Sequence, residues 1–438
     1  MHLHLLSKQC IMDIFSEELS TFAFSYKEGD LMTLIECFTS SHIDNIAACL
    51  CLQPDKMVLV GDGAQMSAAA KRYQKVLQKR GIATEVTMRD VQHMDVSDIY
   101  AVLKKDVLEA KECIIDLTGG DERIIMAVGA VVTMLPAQER QKIRVQQFDH
   151  ETGIVRDCLH DNRKVPTNAV DLTVKELIEL HGGSIHPNAY QPPKDCTPRD
   201  LAGLWKIVSE EPKDWNREIM LLGEFESRAD SKTQVFLWLE HLRDNISNFE
   251  MKETVVRELL DKLHQQGVIE DHSSRSALEY TYTSPMLRYC TQKAGNILEM
   301  KTLLEGRAVL ENGAPYFHDC RTSVSIDWDG VVHDPMERVP ETRNEIDVIL
   351  MHGATPLFIS CKNGNVDEEE LYKLHTVAER FGGAYAKKML IVTDLDGKTP
   401  SAKRALIQRA WDMDIFLVTD AAELSSDEWR RIFKKAMQ

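Results

Sequence analysis

From Leu31 onwards, short apolar runs alternate with amphipathic stretches of helical period, and this order constrains the fold more than any other feature. LMTLIECF (Leu31 to Phe38) reads as a strand. The N-cap residues Thr39, Ser40 and Ser41 follow, then an apolar helix that stops before Pro54. KMVLVG (Lys56 to Gly61) has the length and apolar density of a strand buried on both faces. The next helix carries Met66, Ala69, Tyr73, Val76 and Leu77 on one stripe and ends at Gly81. Strand ATEVTMR, a helix from Asp95 to Ala110, strand ECIIDL, a helix from Asp121 to Leu135 and strand IRVQQFD complete the series. Repeated βαβ units of this length predict a parallel, helix-covered sheet, a Rossmann-like domain over residues 31–155. Residues 1–30 show no clear period: the functional start is expected near Met32, although a helix around Ile11 to Phe24 suits the same stretch.

Residues 165–288 are mostly helical, with a proline-rich break from His186 to Pro198. The helix ending at Gly267 and the two β segments after it predict a winged-helix-like connector. Lys252, Arg257, Lys262 and His264 share the recognition-helix surface with Glu253, Glu258 and Asp261, a mixed face poorly suited to phosphate. Residues 289–438 return to α/β order: a helix from Tyr289 to Glu305, strands SVSIDW, NEIDVILM and PLFISCKNG, a helix from Val366 to Phe381, and a further αβα series. The fold class is therefore α/β, a Rossmann-like domain, a helical winged-helix-like connector and a second α/β domain of restriction-endonuclease type.

Two constellations could carry chemistry. Gly61, Asp62 and Gly63 end one strand of the first domain, and Thr118, Gly119, Gly120 and Asp121 end another, each opening a helix. In a parallel sheet such turns are where anionic ligands meet helix N-termini, and glycine admits close backbone approach. Neither turn is a dinucleotide fingerprint or a P-loop, and both equally suit plain βα connections. The second constellation is a hairpin. A tight turn centred between Gly353 and Ala354 places Asp347 opposite Ser360 and Glu345 opposite Lys362, all on one face. Glu299 precedes them on a helix. Carboxylates beside a lysine suit Mg²⁺- or Mn²⁺-assisted phosphodiester hydrolysis, the acids holding the metal and the lysine stabilising or orienting the nucleophile. A solvated hairpin face with ordinary Glu–Lys pairing explains the hairpin alone as well. An acid on one strand, then acid-x-Lys on the next, with a helical Glu before both, is the PD-(D/E)xK nuclease arrangement, which this hairpin resembles.

The turn LTGGDE resembles the TGGTK turn of CARF sensor domains (CRISPR-associated Rossmann folds). The stretch from GNILE through NEIDV and ISCKNG to ERFGGAYAKK resembles the nuclease half of CARF/PD-(D/E)xK ancillary effectors. This resemblance implies a homodimer activated by cyclic tetra-adenylate that cuts single-stranded DNA or RNA with a divalent metal in antiviral defence. It implies cyclic-nucleotide contacts at Thr118, Gly119 and Gly120, metal binding at Asp347, a catalytic Lys362 and a helical acid at Glu299. There are two departures from the family: Asp121-Glu122 stand in place of Thr-Lys, and Ser360 in place of the motif Glu. The first brings negative charge towards an anionic ligand. The second leaves Glu345 or the Cys361 carbonyl to complete the metal site. A ligand-sensing winged-helix regulator with a degenerate nuclease domain is the alternative.

Tyr372 and His375 could touch substrate, and Asp327 and Asp329 could supply a second metal, but surface packing accounts for the first pair. Cys49 and Cys51 read as core residues, and His181 and His186 as structural. The formal charge of −17 opposes nonspecific coating of nucleic acid, so a nucleic-acid site must be local. Ten scattered cysteines in apolar surroundings predict free thiols in a reducing cytoplasm. The absence of any run of about eighteen apolar residues predicts no membrane span.

Overall fold

The computed structural model of this 438-residue chain describes residues 31–150, 152–165, 167–187, 190–227, 233–330, 343–364, 366–395 and 397–438. The expectations for residues 1–30 lie outside this set. The chain divides into two compact units, one reaching Leu172 and including Glu179–Gly182, the other holding Thr173–Ile178 and Gly183–Gln438.

In the first unit, β1 (Met32–Cys37), α1 (Asp44–Leu52), β2 (Lys56–Gly61), α2 (Gly63–Lys79), β3 (Glu85–Asp90), α3 (Val96–Glu109), β4 (Glu112–Asp116), α4 (Glu122–Met134) and β5 (Ile143–Asp149) follow the predicted order. The strands form one sheet in the order β3-β2-β1-β4-β5, extended by β6 (Ile154–Asp157) and β7 (Lys164–Val165). The first five are parallel and the last two antiparallel, an extension that the sequence pattern did not show. The α2 stripe of Met66, Ala69, Tyr73, Val76 and Leu77 is buried as predicted. The α1 cap differs from expectation. The helix starts at Asp44 without a side-chain cap, because Thr39 is held instead by the Asn45 amide, donating to Asn45 Oδ1 and accepting from Asn45 Nδ2. Strand order reverses between β1 and β4, so their carboxyl ends form the topological switch point where such sheets bind ligands.

The second unit contains β8 (Ser184–Ile185), α5 (Ala202–Glu210), α6 (Pro212–Glu226), β9 (Gln234–Trp238), α7 (Phe249–Gln265), β10 (Ile269–Asp271) and β11 (Ala277–Tyr282). Next come α8 (Pro285–Cys290), α9 (Asn296–Arg307), β12 (Asp319–Asp327), β13 (Arg343–His352), β14 (Thr355–Lys362), α10 (Glu368–Gly382), β15 (Lys387–Val392), α11 (Pro400–Asp412), β16 (Ile415–Val418) and α12 (Ser426–Ala436). Strands β10-β11-β9 form a small antiparallel sheet beside α7. The large sheet has the order β16-β15-β14-β13-β12-β8, parallel from β14 to β16 and antiparallel from β14 to β8. One apolar core serves both parts: Trp215 and Leu260 belong with Leu303, Val348 and Ile359.

The helix expected from Tyr289 to Glu305 is two helices, α8 and α9. The break falls at Thr291–Gly295, where Asn296 Nδ2 turns back to Tyr289 O. Glu299 therefore stands in the first turn of a helix buried on nearly every side. Among the described residues, no helix is long and apolar enough to cross a membrane.

Candidate active site

The β13–β14 hairpin has the predicted register, pairing His352 with Thr355 and Val348 with Ile359. Beyond that last pair the ladder opens. The Cys361 N–H donates to Asp347 Oδ2 at 2.6 Å, and Ser360 Oγ donates to the same oxygen at 3.1 Å. Glu345, Asp347, Ser360 and Lys362 line a small cavity of about 70 Å³ with Glu370 and Lys373 of α10. Lys362 Nζ lies 3.8 Å from Asp347 Oδ2 and 3.1 Å from Glu370 Oε2. Burial opposes the lysine's charge, but Asp347 and Glu370 outweigh it and hold Lys362 above the usual lysine range. Lys362 is thus a fixed cation, suited to stabilising negative charge rather than taking up a proton.

On the other side of Asp347, Ser323 interrupts β12. It stands beside Asp347 in register, between the pairs Thr322–Val348 and Val324–Ile346, with φ of 50°. A left-handed serine inside a strand is a strained position of the kind that clusters at functional sites. Its hydroxyl donates to Glu299 Oε2 at 3.0 Å. That leaves the Tyr289 hydroxyl, at 2.8 Å, to donate to Ser323 Oγ. Burial, then the Asp347 carboxylate, push Glu299 up to about 7, although the Ser323 hydroxyl pulls the other way. Burial likewise raises Asp347, opposed by Lys362, the Cys361 N–H and the Ser360 hydroxyl.

Glu299, Glu345 and Asp347 thus concentrate more negative charge than the buried pair among them holds comfortably, which is the electrostatic demand a hard cation meets. The donor chemistry fits Mg²⁺ or Mn²⁺: Asp347, Glu299, Glu345 and the Cys361 carbonyl would hold it. The Cys361 thiol takes no part, being buried against Thr302 and raised well above its usual range by that burial. Among the described residues, no three His, Cys, Asp or Glu side chains form a ready-made metal site, so Asp347, Glu299 and Glu345 would have to draw closer together to hold one. Sequence reasoning missed Glu370, Lys373, Ser323 and Tyr289. The run Glu368–Glu370 after Asp367 marked a helix start, and nothing marked the serine. Tyr372 and His375 do not line the cavity, since Arg409 lies over the tyrosine ring and Lys388 Nζ contacts His375 Nδ1. Cys49 and Cys51 are buried in the core.

In the first unit, each glycine of the two turns is required by a close neighbour. A Cβ would fall 2.9 Å from Phe38 Cβ at Gly61, 2.5 Å from Asp90 Oδ2 at Gly63, and 2.5 Å from Thr39 Cγ2 at Gly119. Gly120 has φ of 103°, with Cys37 Cβ 2.6 Å from its missing Cβ. Thr118 is fixed by its N–H to Asp116 Oδ1 and by accepting the Phe148 N–H. Asp62 Oδ1 caps α2 at Ala64 N, and its Oδ2 accepts from Gln92 Nε2. Gln92 O accepts from Arg123, which pairs with Asp121 at 3.0 Å, so a polar chain joins the two turns. Asp121 Oδ1 caps α4, accepting from Arg123 N at 2.9 Å and Ile124 N at 3.1 Å. Burial pushes the Asp121 carboxyl up, but these donors outweigh it and hold it below the usual aspartate range. The Asp121 charge expected to oppose an anion is therefore engaged by the helix and Arg123 while staying partly exposed, and Glu122 is exposed beside it.

No protein-family model matches the chain, and no curated protein matches it in sequence. Solved structures do. Protein VC1899 from Vibrio cholerae aligns with a TM-score of 0.67 at 16% identity, covering 93% of this chain and 97% of that one. Can2 from Sulfobacillus thermosulfidooxidans, in complex with cyclic tetra-adenylate, aligns with a TM-score of 0.59 at 14% identity, covering 92% and 97%. At these identities the likeness is one of fold. The chain shares that fold with both structures over nearly its whole length.

Proposed function

We propose that this chain is a nucleotide-regulated, metal-dependent endonuclease that cuts single-stranded DNA or RNA in the cytoplasm as a homodimer. The observation that carries the reading is the opened β13–β14 ladder, where Asp347, Lys362 and Glu370 converge in one cavity with Glu299 behind. Bound there, Mg²⁺ or Mn²⁺ would supply Lewis-acid polarisation of the scissile phosphate. Lys362 stabilises the phosphate's charge, and Ser360 and the Cys361 N–H orient Asp347.

Likeness to a structure holding cyclic tetra-adenylate supports a cyclic oligonucleotide ligand at the carboxyl ends of β1 and β4. The exposed face of α4 supports the dimer. Ile125, Met126 and Met134 are 42%, 67% and 69% exposed there, and a Cβ at Gly129 would meet open space. An apolar helix face of this kind suits burial against a second copy.

Ser360 favours the second reading, a winged-helix regulator with a degenerate nuclease domain. The ion pairs on the connector weigh against it: Lys252 pairs with Glu224, Arg257 with Glu253, and Lys262 with Glu211 and Glu218. A DNA-reading helix needs those cations for phosphate. The deciding experiment incubates protein and Mn²⁺ with labelled single-stranded DNA and RNA, with and without cyclic oligoadenylates. Cleavage that requires ligand supports the enzyme, and ligand binding without any cleavage supports the regulator.

A further inference from the structure

Two consecutive residues of α6 reach the backbone on either side of the candidate site. Trp215 is fully buried, and its indole N–H donates to Ala294 O at 3.0 Å. Asn216 and Asn363 form a reciprocal amide pair: Asn216 Nδ2 donates to Asn363 O, and Asn363 Nδ2 donates to Asn216 Oδ1, each at 2.9 Å. Asn363 Nδ2 also lies 3.4 Å from Ala294 O. Asn363 directly follows Lys362, and Ala294 precedes the helix turn that carries Glu299. The same asparagine is tied to the next strand, since Thr393 Oγ1 donates to Asn363 Oδ1 and accepts from Gly364 N. Gly364 has φ of 97°, and its missing Cβ lies 3.5 Å from Asn216 Nδ2, so the chain closes directly over the amide.

We infer that Asn216 and Trp215 are positioning residues of the candidate site. Neither lines the cavity. One holds the strand end behind Lys362 and the other holds the helix start before Glu299, so a single turn of the connector sets the spacing of the cation and the acid. This inference rests on the nuclease reading. It also explains why the α8–α9 break exists: a continuous helix would take up Ala294 O within its own ladder, whereas here that carbonyl accepts from the connector. Asn216 is exposed, so water replaces its hydrogen bonds with little effect on global folding. Catalysis is more sensitive, because a misplacement of about 1 Å can cost on the order of 100-fold in rate.

The test measures Mn²⁺-dependent cleavage, thermal midpoint and amide hydrogen exchange for the full chain and for Asn216→Ala, Asn216→Asp, Asn363→Ala, the alanine double variant and Trp215→Phe. Asn216→Ala should lower kcat about 10-fold with KM for nucleic acid unchanged, and should speed exchange in residues 294–299 and 359–364. Asn216→Asp keeps the acceptor but not the donor and should fall between. The double variant should be no worse than Asn363→Ala alone, because the lesions share one interaction. Trp215→Phe keeps the apolar contact but loses the N–H, and should speed exchange in residues 294–299 first. Wild-type kcat and exchange in Asn216→Ala, a change confined to KM, or additive losses would each overturn the inference. If the natural protein cuts nothing, the nuclease reading fails separately and exchange decides: local acceleration at both segments sustains the positioning claim, and unchanged exchange overturns it.

Discussion

Replacing Asp121 by alanine removes the α4 cap and its partner on Arg123 together. The carboxylate accepts from two backbone N–H groups, at 2.9 and 3.1 Å, and pairs with a guanidinium at 3.0 Å. A lost cap costs about 1 kcal/mol, with a range of roughly 0.5–2. The ion pair adds at most about 0.5 kcal/mol, since both partners are more than 40% exposed. A loss of about 1–2 kcal/mol lowers the thermal midpoint by roughly 3–6 °C for a domain of this size. Asp121→Thr keeps a capping oxygen and should lose only about 1–2 °C. Because the folded carboxyl is held below its unfolded value, its stabilisation is present at neutral pH and disappears as pH falls through the folded value. The alanine deficit seen by calorimetry should therefore shrink in strong acid. Ligand binding separates the two acids. Glu122→Lys exchanges a negative for a positive charge at the helix N-terminus and should tighten cyclic tetra-adenylate by about 3- to 30-fold, less at high salt. Asp121→Thr should change affinity little, its charge being already engaged. Equal tightening by both substitutions, or a threonine variant as unstable as the alanine, would refute this account of the turn.

Glu299 ionises at about 7 in the folded protein against 4.5 ordinarily, so the stability it confers is complete below 4.5 and is lost as pH rises towards 7. Glu299→Gln should flatten that decline, raising the metal-free midpoint at pH 8 by about 5 °C and leaving it nearly unchanged at pH 4; a lower midpoint at pH 8 would contradict the sign. Glu36 is fully buried with neither carboxylate oxygen hydrogen-bonded, and burial, then Asp116 and Asp44, raise it well above its usual range. Glu36→Gln should accordingly raise the midpoint at pH 8 by about 2–4 °C, read by scanning calorimetry. Lys362→Ala should slow cleavage by about 100-fold or more while Mn²⁺ affinity by calorimetry stays within about threefold. Ser360→Glu should lower the Mn²⁺ concentration needed for half-maximal cleavage, and no effect on metal dependence would remove Ser360 from the site.

The hairpin register was legible because a two-residue turn leaves a strand pair no freedom: Gly353 and Ala354 determine where Asp347 and Ser360 fall. The helix break before Glu299 was not legible. Gln292 to Ala294 have good helical propensity, one glycine at Gly295 does not by itself end a helix, and the partners that hold the break, Trp215 and Asn363, are remote in sequence. The left-handed Ser323 has no local signature either, since its conformation is stabilised by Tyr289 and Glu299 from other elements. The Asp121 cap has a plain signature, an acid just before a helical run, but the same acid equally suits a free negative charge, and only the folded turn shows its hydrogen bonds. Short strands β6 to β8 were missed because two to four residues carry too little periodicity.

The central claim is that Asp347 anchors a working metal site controlled by a bound cyclic nucleotide. The most direct measurement follows cleavage of labelled single-stranded DNA and RNA by the natural protein and Asp347→Ala, with Mn²⁺ and with or without cyclic tetra-adenylate. The account predicts cutting by the natural protein only when metal and ligand are both present, and none by Asp347→Ala under any condition. Equal cutting by the two proteins would show that the chemistry lies elsewhere, and no cutting by the natural protein or Ser360→Glu with every candidate activator would leave the regulator in its place.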